Sequence, residues 1–134
     1  MVRKFLFVTT LIFCLIALGC GGNRNIEEFD SKLWKSDRHG CAGQRLLIKH
    51  DLKMSRDHLM GLSENDILRV LGKPDRQELY RRSQKFFVYY ITPAAKCEKT
   101  IHSDSGSLLK IRFDALGEAN EIIFEDYLLS EKAE

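Results

Sequence analysis

The chain has 134 residues, with 21 Lys and Arg against 19 Asp and Glu. That is the size of one small domain, and its near-balanced charge excludes an obvious nucleic-acid-binding surface. Only two prolines, Pro74 and Pro93, interrupt it, and no internal repeat or low-complexity tract is visible, so regular elements rather than linker are expected.

Arg3 and Lys4 form a positive start, and Phe5 to Leu18 is uncharged. That stretch is shorter than the about 20 apolar residues of a membrane-crossing helix. A basic start, a short apolar run and small residues at its end describe a cleavable export signal. Here the run ends in Ala17-Leu18-Gly19-Cys20, which resembles a lipobox, with Ala17 where Leu is common. Residues 1–19 are therefore expected to be a lipoprotein signal peptide. Cys20 becomes the lipid-attachment site, carrying diacylglycerol and a further acyl chain, and two or more chains suffice for stable anchoring. Residues 20–25, with Gly21 and Gly22, form the tether, and residues 26–130 the domain. Gly21, in place of the Asp that retains such proteins in the inner membrane, favours the outer membrane, with the domain facing the periplasm. No other cofactor is expected.

Cleavage also simplifies the charges and the cysteines. Arg3 and Lys4 leave, so 19 basic residues remain against 19 acidic ones. Basic residues concentrate in 31–58 and acidic ones in 114–134; these blocks are solvated faces, or a basic face toward anionic lipid or an acidic partner. Cys14 leaves with the signal and Cys20 is lipidated, so Cys41 and Cys97 are expected to pair as a disulfide in an oxidising compartment. Closing a loop of about 57 residues stabilises by about 4 kcal/mol through lost chain entropy. The alternatives are free buried thiols, or a metal site from His39, Cys41, Cys97 and His102, whose spacings match no recognised zinc pattern.

In chain order, Ile26, Phe29, Leu33 and Trp34 recur at helical spacing. Gly40 and Gly43 break the pattern around Cys41, and Leu46, Leu47, Leu52, Leu59 and Met60 make a second helical stretch. From Gly61 to Pro74 every local cue agrees on a two-turn helix. Ser63 is the N-cap, with Asp66 at the capping-box position. Leu62 and Ile67 form the hydrophobic staple. Gly72 takes a left-handed C′ conformation, and Pro74 forbids continuation. Gln84 to Ile91 is rich in β-branched and aromatic residues and reads as a strand. A long connection carrying Cys97 follows. Leu108 to Phe113 alternates, the turn Asp114-Ala115-Leu116-Gly117 follows, and Glu118 to Asp126 alternates in turn. Lys110 and Arg112 can pair across strands with Glu121 and Glu125. Leu128 to Glu134 is a short charged tail, expected to fray. The expected fold is a two-layer α+β domain: helical segments followed by a three-stranded antiparallel β-meander, with Arg76 to Leu79 extending the first strand.

Gly61-Leu62-Ser63, then Leu71-Gly72-Lys73-Pro74, then the aromatic strand Phe87-Val88-Tyr89-Tyr90, then Phe113-Asp114 with Gly117, resemble the signature of the SmpA/OmlA (BamE-like) family of small outer-membrane lipoproteins. The resemblance covers roughly residues 60–125 and the lipid signal. The stretch Trp34 to Arg45 and the connection bearing Cys97 lie outside that pattern. The resemblance implies a part in the assembly or maintenance of outer-membrane proteins.

No G-x-S-x-G, H-E-x-x-H, P-loop or G-x-G-x-x-G occurs. His39 beside Cys41 could be imagined as a base and its thiol, but residues two apart seldom present that geometry, and a disulfide sulfur cannot attack. The expectation is a non-enzymatic protein-interaction or scaffold module whose partners are the membrane, through its lipid, and an envelope protein. The alternative is a periplasmic inhibitor or binding lipoprotein with a β-lactamase-inhibitor-like domain. Trp34, Arg38 and Arg45 are the candidate partner-binding residues, with the two arginines flanking Cys41 as a basic patch. After expression in a Gram-negative host, the intact mass is expected to report loss of residues 1–19, added acyl chains and the two-hydrogen deficit of a Cys41–Cys97 bond. Cys20→Ser should release the chain from the membrane fraction.

Overall fold

The computed structural model describes residue 26, residues 29–94, residue 97 and residues 105–128. The expected signal peptide, Cys20, the tether, His102 and residues 129–134 lie outside the described residues. No helix among the described residues is long and apolar enough to cross a membrane.

The protein is an α+β domain: a few short helices, then an antiparallel sheet of four strands. Helix α1 spans Ser31–Ser36, and a single 3₁₀ turn spans Arg38–Gly40. Helices α2 (Gln44–Leu47), α3 (Lys49–Met54) and α4 (Arg56–Leu59) follow, and α5 spans Glu64–Leu71. The second helical stretch expected from the sequence is thus three short helices. Its breaks fall at Ile48 (φ −99°, ψ 12°) and Ser55 (φ −83°, ψ 4°). Ser55 is buried, and its hydroxyl donates to the Asp51 carbonyl at 2.9 Å. Such back-bonding competes with the helical ladder and bends it.

Helix α5 forms as its local chemistry dictates. The Ser63 hydroxyl accepts from the Asp66 amide at 3.2 Å and donates to its carboxylate at 2.7 Å. Leu62 and Ile67 are both buried, as a staple requires. Gly72 corrects one detail. Its φ is positive (74°), but its ψ is −171°, so it stands outside the left-handed helical region, in one essentially reserved for glycine. That geometry turns its carbonyl to accept from the Tyr89 hydroxyl at 2.9 Å.

Strands β1 (Arg76–Leu79), β2 (Lys85–Tyr90), β3 (Ser105–Phe113) and β4 (Ala119–Leu128) lie in sequence order across the sheet. The sheet therefore has four strands rather than the expected three. Arg76–Leu79 does not extend the first strand: a turn at residues 80–84 folds it back, and it pairs antiparallel with Lys85–Val88. The turn is closed by Tyr80 N–H to the Gln84 carbonyl (2.8 Å), and Arg82 and Ser83 both take positive φ, 58° and 60°. Two positive-φ residues make the tight hairpin that matches strand twist, but Arg and Ser lack the Asn-Gly signature that would announce it.

One apolar core joins helices and sheet. Trp34, Leu52, Leu59, Ile67 and Leu71 from the helices meet Phe87, Tyr89, Leu109, Ile111, Phe113 and Ile122 from the strands. Period-two alternation explains the sheet residues: each lies on the same side of its strand. On the other side, Lys110 pairs with Glu125 and Arg112 with Glu121, each at 2.8 Å, which fixes the β3–β4 register. At the far end of that register Gly106 faces Tyr127. A Cβ on Gly106 would sit 2.2 Å from Tyr127 Cζ, so the ring lies over the bare glycine. Gly106→Ala is accordingly expected to destabilise by about 1–3 kcal/mol through forced displacement of that ring. The check is a lowered urea midpoint with unchanged slope.

Candidate functional site

The sequence-predicted site residues converge, but inward. Asp37 ends α1, and its carboxylate accepts from the Ala42 amide (2.7 Å) and the Arg45 amide (3.0 Å). These bonds fold the segment 37–45 into a compact turn and aim Arg45 at the core. Arg45 is 1% exposed. Its Nε donates to the Trp34 carbonyl (3.2 Å), and its Nη1 donates to the Asp75 carboxylate and to the Tyr90 carbonyl (2.9 Å). The guanidinium carbon stands 4.6 Å from the Trp34 ring centroid and 5.9 Å from that of Tyr89. A planar cation between aromatic faces gains cation–π attraction that grows as water is removed.

Asp75 answers that charge. Its side chain is fully buried, and one oxygen also accepts from the Tyr90 amide at 2.9 Å. The other accepts from the His39 backbone amide at 3.3 Å. His39 Nδ1 is equally near, 3.3 Å, but off the hydrogen-bond axis, so the imidazole lies against the carboxylate without bonding to it. Buried charges survive only when paired and hydrogen-bonded, and this pair meets both conditions. Burial also pushes the Tyr89 phenol well above its ordinary pKa, so it stays a neutral donor to Gly72.

Over this network lies the pair Cys41 and Cys97, at disulfide distance with Cα atoms 5.5 Å apart. Cys97 is buried and Cys41 is exposed. The Ala94 amide donates to the His39 carbonyl (3.1 Å) and the Cys97 amide to the Ala94 carbonyl (2.9 Å). The bond therefore staples the 3₁₀ turn to the segment that follows β2.

The partner surface expected from Trp34, Arg38 and Arg45 is not assembled. Trp34 is 0% exposed and packs between Phe29 and Tyr89. Its indole N–H is buried without a hydrogen-bond partner among the described residues. Arg45 is interior because Asp75, two carbonyls and two aromatic rings solvate it there. Arg38 alone of the three stays exposed. Sequence reasoning missed Asp75, the residue that makes Arg45 a core cation. Its only signal was position, directly after the helix-ending Lys73-Pro74. Among the described residues no group of three or more His, Cys, Asp or Glu side chains could hold a metal ion.

Two surface features remain. The β1–β2 hairpin projects Leu79 (90% exposed), Tyr80, Arg81 and Arg82. A groove of about 530 Å³ runs between Lys53 and Arg56 on one side and Glu121, Ile122, Ile123 and Phe124 of β4 on the other. No family model, curated protein or solved structure matches the chain.

Asp75→Ala would leave the Arg45 charge buried and unpaired, an expected loss of about 3–5 kcal/mol. Adding Arg45→Met should recover part of that, the remainder reflecting the orphaned Tyr90 and His39 amides. Urea denaturation of the single and double variants measures both. Reduction of the Cys41–Cys97 bond is expected to cost about 4 kcal/mol for its loop, read as a lowered urea midpoint in dithiothreitol.

Proposed function

We propose that this chain is a lipid-anchored lipoprotein of the outer membrane whose two-layer α+β domain faces the periplasm as a non-enzymatic protein-interaction or scaffold module. Assembly or maintenance of outer-membrane proteins is the role that the SmpA/OmlA resemblance implies. The observation that carries the reading is the Cys41–Cys97 pair at bonding distance, in a chain whose N-terminus reads as an export signal ending at Cys20. Disulfides persist in oxidising compartments outside the cytoplasm. A small domain of short helices is the kind that gains from such a staple. Arg45 and Asp75 are buried and direct their hydrogen bonds to backbone and to each other, so this pair serves the fold, and any partner must meet other residues.

A second reading is favoured by the hairpin. Leu79 and Tyr80 are exposed, Arg81 and Arg82 form no ion pair among the described residues, and the turn holds two non-glycine residues at positive φ. Strain of that kind at an exposed tip is a mark of recognition loops. It would suit an inhibitor or binding lipoprotein that inserts the tip into a secreted enzyme.

Tagged chain in a Gram-negative host is expected to fractionate with outer membranes. From detergent extracts it should co-purify barrel-assembly proteins, identified by mass spectrometry. Recovery of a soluble enzyme instead, lost on Leu79→Ser with Tyr80→Ser, would establish the second reading. Cytosolic chain with reduced thiols would sink both.

A further inference from the structure

The outer edge of β4 is a strand edge that the chain itself begins to pair and then abandons. Ala119 N–H donates to the Leu62 carbonyl (2.9 Å), Gly61 N–H donates to the Ala119 carbonyl (2.7 Å), and Ser63 bridges Glu118 in antiparallel sense. Residues 61–63 thus act as a stub of strand on the side of β4 away from β3. The chain on the N-terminal side of that stub is helical: α3 and α4 run beside the strand, tied to it where Lys49 meets Asp126 at 2.8 Å. A helix cannot supply the ladder that a strand would. From residue 121 onward no described strand pairs with this edge.

The groove opens there. Four consecutive residues, Glu121 to Phe124, line it. Successive side chains of a strand leave opposite faces, so four in a row can line one groove only along the strand's edge. The opposite wall carries Lys53 and Arg56, both exposed and neither in an ion pair among the described residues. Lys53 Nζ stands 5.5 Å over the Phe124 ring. Glu121, the groove's one carboxylate, is engaged by Arg112 at 2.8 Å. The other sheet edge, β1, is a strand of four residues, whereas β4 is a strand of ten whose first residues alone pair with 61–63 among the described strands.

We propose that this groove receives an extended acidic segment of a partner protein, which adds to β4 as a fifth strand. Main-chain hydrogen bonds along the edge supply affinity, and alternate side chains supply specificity. Apolar side chains would rest on the partly buried Phe124, while carboxylates reach Lys53 and Arg56. The proposal deepens the interaction-module reading by naming where the partner binds and its chemistry.

The test uses purified full-length chain in detergent and a fluorescein-labelled peptide of about eight residues that alternates Glu and Val, with a Lys-Val peptide as control. Anisotropy should show saturable binding of the acidic peptide, weakened at least about ten-fold by Lys53→Glu with Arg56→Glu and weakened by salt. Both positions are exposed, so the double variant should fold, as circular dichroism checks. Amide hydrogen exchange should slow at residues 121–125 in the complex. Equal binding of the Lys-Val peptide, an unaffected double variant, or protection confined to other segments would each overturn the proposal. So would a tighter peptide complex after deletion of residues 129–134, which makes the chain's own acidic tail the occupant. A chain dimer that the peptide dissociates would identify a second copy instead. The assay needs neither lipid nor location. Peptide binding by a chain that is not at the outer membrane sinks only the functional reading, and an outer-membrane chain that ignores the peptide sinks only the groove.

Discussion

The ion pair between Arg45 and Asp75 is the constraint on which the rest of this fold depends. Isolated in a core, either charge would cost several kcal/mol. Together they are tolerated because every neighbour is a donor, an acceptor or an aromatic face. Arg45 reaches the Trp34 and Tyr90 carbonyls, and Asp75 collects the Tyr90 and His39 amides. These contacts come from α1, the 3₁₀ turn, α2, the end of β2 and the segment between α5 and β1. One buried ion pair therefore fixes the mutual placement of five parts of the chain, and none can shift without stranding a charge or its partner amide.

That fixing matters because the local elements are weak. Helices α2 and α4 have four residues each, and α1 and α3 have six. Isolated helices shorter than about 12 residues are marginal in water, so these rely on tertiary contacts. Leu52 and Leu59 bury one side of the run against the sheet, while the network and the Cys41–Cys97 staple hold its start. The staple and the ion pair act on the same turn. The covalent link limits how far residues 38–41 can swing when the chain unfolds, and the pair sets their native position.

The interior arrangement also decides what is left for the surface. With Trp34 and Arg45 drawn inward, the exposed features are formed by residues outside the network. The two sheet edges differ in kind. Strand β1 is short, carries the Arg76–Glu78 ion pair and ends in a tight cationic hairpin. Short, charged edges resist indiscriminate pairing. Strand β4 is longer, and among the described residues its outer edge forms backbone hydrogen bonds with residues 61–63, while α3 and α4 run beside the rest.

Helix α5 and the β3–β4 hairpin were legible in the sequence because their information is local. Ser63, Asp66, Leu62 and Ile67 lie within one six-residue stretch, 62–67, and the alternation of Leu109, Ile111 and Phe113 declares its face without reference to any other segment. The cysteine count, read with an expected export signal, favoured Cys41 and Cys97 as partners, and the structure sets them at disulfide distance. Strand β1 was not legible as a separate strand, because Arg82 and Ser83 adopt positive φ without the residues that usually mark such a turn. The fate of Arg45 was not legible either. Composition places an arginine on the surface, and only a carboxylate 30 residues away in sequence brings it inside. Local chemistry is written within one or two turns of chain. Charge compensation in a core is a property of distant segments meeting, and tertiary structure alone decides it.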